Sequence, residues 1–270
     1  MPRVVELRVP APDAELGADR MWVAGARAVE VLDTADGVAL RSVLADDDEV
    51  SLDRLGALPA GWAVTFFEQP DAPSEAWRDY AVPVDVSPTL VVYPAWQPPP
   101  VRAGVLQVAI EPGGAFGLGD HPTTRLAAAA AERLTGPSVS VLDVGCGTGV
   151  LAVIAALRGA GPIVAIDIAE AAREATVANA ERNGVADRID VSTTPLGDVA
   201  GIYDVVFANI LAPTLVALAD ALARVLAPDG TLVISGILDG AHDHVLAALA
   251  PLRPVRTDVR DGWAAVELRR

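Results

Sequence analysis

Residues 139–149 read Val139-Ser140-Val141-Leu142-Asp143-Val144-Gly145-Cys146-Gly147-Thr148-Gly149. The first six are apolar except Ser140 and Asp143, a pattern that suits a strand buried on both faces of a parallel sheet. Three glycines at alternate positions then let the chain turn sharply and bring its backbone against a ligand. The helix expected next, over 148–158, opens with free N–H groups. Similar apolar runs recur at 163–166, 205–208 and 232–234, with helical stretches at 169–182 and 213–226 between them. Strand–helix alternation on this scale predicts an α/β fold, a doubly wound, Rossmann-like sheet. Residues 255–259 and 264–268 flank Asp261-Gly262, a hairpin that would finish the sheet.

Upstream, the pattern changes. Strands are expected at 4–9, 28–32, 38–44 and 62–67, and helices at 13–24, with Asp13 as a cap, and at 48–58. The order βαββαβ predicts a small α+β, ferredoxin-like sandwich over 1–68. Pro88, Pro94, Pro98, Pro99 and Pro100 crowd the stretch before Val101. Proline fixes φ, so 69–100 is expected to be a semi-rigid linker containing a short strand at 90–93. The third region, 101–270, would carry the chemistry.

Composition narrows the function. The chain has 270 residues, 52% hydrophobic and 21% charged, enough for a packed core. Against 36 acids stand 20 cations, all of them Arg, for a net charge of −16. Such a chain is poorly suited to nucleic acid or an anionic membrane and well suited to a basic partner. Its only cysteine, Cys146, excludes an intrachain disulfide and a Cys-based zinc cluster. The N-terminus meets Glu6 before any signal-length apolar run, so a cytoplasmic protein is expected.

Two cofactor classes use a glycine turn of this kind. A dinucleotide fingerprint, G-x-G-x-x-G, needs glycine where Val150 stands. Asp143 would repel a diphosphate but could pair with an amino-acid ammonium group. Asp167 falls at the end of the next strand, 18 residues after Gly149, where a carboxylate can accept both ribose hydroxyls. S-adenosylmethionine offers a ribose, an ammonium and a sulfonium, and no phosphate. The pattern therefore favours it, with Asp143, Gly145, Gly147, Gly149 and Asp167 as binding residues. A tight turn without a ligand is the plainer alternative. Cys146 has no neighbouring base in sequence to activate it and is expected to be a small residue tolerated by the turn.

Further segments carry a resemblance. They are Gly114-Ala115-Phe116-Gly117-Leu118-Gly119-Asp120-His121-Pro122-Thr123-Thr124, Asn179-Ala180-Glu181-Arg182-Asn183-Gly184, Phe207-Ala208-Asn209-Ile210-Leu211-Ala212 and Ser235-Gly236-Ile237-Leu238. Together with 143–149 they closely resemble the PrmA family, class I methyltransferases that modify the large-subunit ribosomal protein L-eleven with S-adenosyl-L-methionine. The resemblance covers about 88–240 and continues weakly upstream, where the family has a small substrate-recognition domain on a linker. It implies cofactor contacts at Thr124, Gly145, Asp167 and Asn209, with Asn209 also catalytic at the junction with substrate. Phe116 and His121 would belong to the substrate-side loop. The family pattern Gly-Thr-Gly-Thr-His is here Gly117-Leu118-Gly119-Asp120-His121, with two hydroxyls lost and a carboxylate gained.

The resemblance implies methyl transfer to amino groups of that basic ribosomal protein, its lysines and, as a further acceptor, its N-terminus. It implies no metal, no direct contact with nucleic acid or membrane, and a monomer. A different protein lysine, a small-molecule acceptor, a nicotinamide-dependent dehydrogenase and a non-catalytic cofactor-binding module remain open alternatives. Plainer roles stand beside those of single residues: a loop brace for His121, a helix cap for Asp120, and a strand-end hydrogen-bonding group for Asn209.

Overall fold

Val141 and Leu142 are both buried, yet they face opposite sides of one strand, and this alternation organises the larger part of the molecule. The structure, a computed structural model, describes residues 3–24, 29–34, 36–44, 58–68, 78, 81–100, 102–112, 117 and 119–270. It divides into two units, Met1–Ala81 and Val82–Arg270.

In the first unit, β1 (Arg3–Val9), α1 (Ala14–Val23), β2 (Glu30–Thr34), β3 (Gly37–Leu44) and β4 (Ala63–Glu68) follow in chain order. The sheet order is β2-β3-β1-β4, with every pairing antiparallel. That order matches the ferredoxin-like expectation. The second expected helix, 48–58, lies outside the described residues apart from Leu58. Val5, Leu7 and Val9 alternate onto one face and pack with Met21, Leu40 and Trp62. Asp13, expected as a helix cap, accepts a hydrogen bond from the Trp62 indole at 2.9 Å. On the other face Glu6 is buried between two guanidinium groups. Hydrogen bonds from Arg41 first, then Arg8, hold its carboxyl below the ordinary range.

The second unit opens with β5 (Val84–Ser87), β6 (Leu90–Pro94) and β7 (Leu106–Ile110), a three-stranded sheet of its own. The expected strand at 90–93 is there, but 84–94 does not behave as a linker. Leu90 and Val92 are fully buried and join the core of the larger unit with Val108 and Ile110. The prolines punctuate this sheet and do not separate it from that core.

Next come α2 (Pro122–Leu134), β8 (Val141–Val144), α3 (Val150–Leu157), β9 (Ile163–Ile166), α4 (Glu170–Arg182), β10 (Ile189–Ser192) and β11 (Tyr203–Asn209). They are followed by α5 (Ala212–Ala217), α6 (Ala219–Val225), β12 (Leu226–Leu238), α7 (Asp243–Ala248), β13 (Arg253–Arg260) and β14 (Trp263–Arg269). The seven-stranded sheet runs β10-β9-β8-β11-β12-β14-β13, parallel except for β14, which is antiparallel to both neighbours. Val141, Ala165, Val205 and Phe207 pack under residues of α2, α3 and α4. Leu142, Val144, Val206 and Ala208 pack on the opposite face with α5, α6 and α7. The helix expected over 213–226 is two helices, broken at Leu218. No helix among the described residues is long and apolar enough to cross a membrane.

Candidate active site

The strand order reverses between β8 and β11. β9 and β10 extend the sheet from β8 in one direction, and β12 onward extend it from β11 in the other. Doubly wound sheets bind ligands outside the carboxyl ends of their strands at such a switch point. The residues singled out from sequence, Phe116 aside, gather at this edge.

Gly145 and Cys146 both donate to the Ile166 carbonyl, at 2.8 and 3.1 Å, which ties the glycine loop to the end of β9. Gly145, Gly147 and Gly149 all take positive φ, and Gly149 is the N-cap of α3. Asp167, directly after β9, is held by two main-chain donors: Gly147 N to Oδ2 at 3.1 Å and Ala169 N to Oδ1 at 2.9 Å. A carboxylate has about four acceptor positions, so one remains on each oxygen for a diol.

Asp143 lies under the loop and is fully buried. Its Oδ2 accepts the Ala152 N–H in the first turn of α3 at 3.2 Å. Burial pushes its carboxyl up to about 7 from an ordinary 3.8; the Ala152 hydrogen bond opposes this and the charge of Asp167 adds to it. Cys146 is buried beside the Thr176 hydroxyl at 3.3 Å, and burial, then the Asp143 charge, raises its thiol well above the ordinary value. That thiol is no nucleophile.

His121 caps α2. Its Nδ1 accepts from Thr123 N at 3.3 Å and lies 2.8 Å from Thr123 Oγ1, while its ring meets Trp263 edge-on at 5.1 Å. The cap is thus His121 and not Asp120, whose Oδ1 accepts from His121 N at 3.0 Å. Ser235 Oγ, on β12, reaches the Thr123 carbonyl at 3.3 Å and fixes this end of α2 to the sheet. Phe116 lies outside the described residues.

Two oxygens buried at this edge have no hydrogen-bond partner among the described residues: Thr124 Oγ1, on the first turn of α2, and Asn209 Oδ1, at the end of β11. Buried polar atoms are ordinarily paired, and an orphan costs about 1–3 kcal/mol. Two of them among residues singled out as ligand contacts fit a site completed by a ligand that brings its own donors.

Asn179 has no role in the expectations from sequence, yet its side chain is fully buried. Its Oδ1 accepts the Glu111 N–H at 2.9 Å, and its amide donates to the Glu111 and Thr148 carbonyls at 2.9 and 3.0 Å. Thr176 Oγ1 donates to the Gly147 carbonyl at 3.0 Å, and Thr148 Oγ1 to the Gly117 carbonyl at 2.8 Å. Asn183 makes the same kind of paired bonds to Ala109. An asparagine inside a helix runs against propensity, a signal that could have marked Asn179; Asn183 is the C-cap of α4.

A doubly wound sheet of this order, with a glycine loop at its switch point and an acid after the second strand, defines a nucleoside-binding domain of the class I methyltransferase type. Sequence comparison specifies the kind. The profile described as "Ribosomal protein L11 methyltransferase (PrmA)" matches residues 67–270, and the chain belongs to that family. A ribosomal protein L11 methyltransferase of Dechloromonas aromatica is 45% identical over 68% of this chain and 61% of its own length. That of Geotalea daltonii is 35% identical over 98% of this chain and 96% of its own length. The five relatives at 41–45% identity are matched over only 61–65% of their own lengths. A crystal structure of ribosomal protein L11 methylase from Lactobacillus delbrueckii subsp. bulgaricus superposes with a TM-score of 0.65 at 33% identity, covering 70% of this chain and 98% of that one.

Proposed function

We propose that the protein transfers methyl groups from S-adenosyl-L-methionine to amino groups of ribosomal protein L11, in the cytoplasm. The observation that carries this is the pair of buried oxygens at Thr124 and Asn209, which have no hydrogen-bond partner among the described residues and lie at the same sheet edge as the glycine loop. When bound, the cofactor supplies a methyl made electrophilic by its sulfonium. The rest is work for this chain's residues. Asp167, aimed by Gly147 N and Ala169 N, would accept the ribose hydroxyls. Gly145, Gly147 and Gly149 let the loop take its left-handed backbone, and Gly145 and Gly149 leave room for the Ile210 and Thr176 side chains packed against them. Thr124 would close the site from α2. Asp143 supports the loop from beneath and would ionise more readily beside a cationic ligand.

A lysine acceptor must lose a proton first. At a reference pKa of about 10.4, roughly one in 10³ is neutral at pH 7. Asn209 cannot take that proton, but its Oδ1 can accept an N–H and aim the nitrogen lone pair. Desolvation at a closed edge lowers the amine's pKa, and the proton leaves to water. Orientation and desolvation therefore carry the catalysis. Residues 1–68 are assigned to substrate recognition and 101–270 to catalysis, and an acidic surface speeds encounter with a basic partner.

The test is incubation with radiolabelled S-adenosylmethionine and purified L11, with the modified residues located by mass spectrometry. Label on L11 amines supports the proposal; label appearing only on another protein in an unmethylated extract removes the L11 assignment.

A further inference from the structure

Ile210 stands one residue beyond Asn209, at the carboxyl end of β11, and the neighbouring strands meet it from both sides. β11 pairs with β8 up to Ala208 and Val144, and with β12 at Asn209 and Ser235. The next residue on each flank is a glycine, Gly145 or Gly236, and both exclude a side chain on account of Ile210. A Cβ at Gly145 would overlap Ile210 Cγ2, and one at Gly236 would lie 2.6 Å from the Ile210 carbonyl oxygen and 2.9 Å from its carbon. Both glycines take left-handed backbone, φ +69° and +82°. The side chain of Ile210 is thus seated against one glycine and its main chain against the other. No described residue gives Asn209 Oδ1 a hydrogen bond to orient it. Its direction must come from how the chain is held next to it.

We infer that Ile210 is a positioning residue: its β-branch methyl, seated where Gly145 lacks a Cβ, sets the Asn209 carboxamide for the incoming amine. This rests on the role proposed for Asn209. The branch point matters more than bulk. Valine keeps the Cγ2 methyl and loses only the outer carbon. Leucine keeps the volume but moves the branch one carbon outward, away from Gly145.

The test compares Ile210→Val, Ile210→Leu, Gly145→Ala and the double variant Gly145→Ala/Ile210→Leu with Asn209→Ala. It measures methyl transfer to L11, calorimetric affinity for S-adenosylmethionine and Tm. Ile210→Val is expected to keep kcat within about twofold. Ile210→Leu should lower kcat by about tenfold or more, since a misplacement of ~1 Å can cost about a hundredfold. Its cofactor Kd and Tm should stay near those of the parent, a split that general loosening would not produce. Gly145→Ala should be more damaging alone than when combined with Ile210→Leu, because the added Cβ then takes the vacated space; the backbone strain is common to both variants. Valine as harmful as leucine, or leucine without effect on kcat, overturns the inference. An impaired Asn209→Ala beside an unimpaired Ile210→Leu overturns the wedge alone. An unimpaired Asn209→Ala overturns the role of Asn209 itself.

Discussion

Asp143 carries a proton in the folded protein over a range of pH where the unfolded chain has already shed it. Its carboxyl is pushed up to about 7 against an ordinary 3.8, chiefly by burial. Between about pH 4 and 7 the native state therefore binds more protons, and stability falls as pH rises through that window before levelling off. Asp143→Asn should flatten this slope in urea unfolding followed from pH 4 to 8; an unchanged slope would remove Asp143 as its source. At this scale the sequence is partly legible. Asp143, Asp167 and the three glycines announce themselves because their chemistry depends on spacing along the chain. Ile210 and Asn179 do not, because their partners lie far away in sequence: Gly145 and Gly236 for one, Glu111 and Thr148 for the other. His121 was ambiguous until the fold placed its ring on Thr123 and Trp263.

Elements with a continuous apolar run were readable, since a strand buried on both faces leaves no polar interruption. β10 was not singled out, because it is a short edge strand in which Asp190 is exposed and only Ile189 fully buried. Residues 84–94 were misleading for a different reason: the strand at 90–93 was legible, but proline density hid its pairing with 84–87 and the place of Leu90 and Val92 in the core. The tie between α4, β7 and the glycine loop belongs to this scale. Asn179→Ala would remove three hydrogen bonds, the one it accepts from Glu111 N and the two it donates to the Glu111 and Thr148 carbonyls. At ~1 kcal/mol for each hydrogen bond lost, a destabilisation of about 3 kcal/mol is expected in denaturant unfolding. A loss below about 1 kcal/mol would mean that the clamp is slack.

Across the whole molecule, the excess of acidic charge suits the basic substrate proposed. Residues 1–100 hold 7 Arg against 17 acids, and the chain as a whole has a net charge of −16. Attraction to a basic substrate should be screened by salt. Raising ionic strength from ~0.1 M to ~1 M shortens the Debye length from about 10 Å to about 3 Å. kcat/KM for L11 should then fall severalfold while kcat at saturation changes little; a salt-independent kcat/KM would count against electrostatic recruitment. All of this presupposes a nucleoside cation at the switch point between β8 and β11. Isothermal titration of S-adenosylmethionine into the protein and into its Asp167→Ala variant tests that most directly. One site per chain is predicted, weakened at least tenfold by the substitution, which removes charge-assisted hydrogen bonds of about 1.5–3 kcal/mol. No binding to the parent protein, or equal binding to both, would contradict the account.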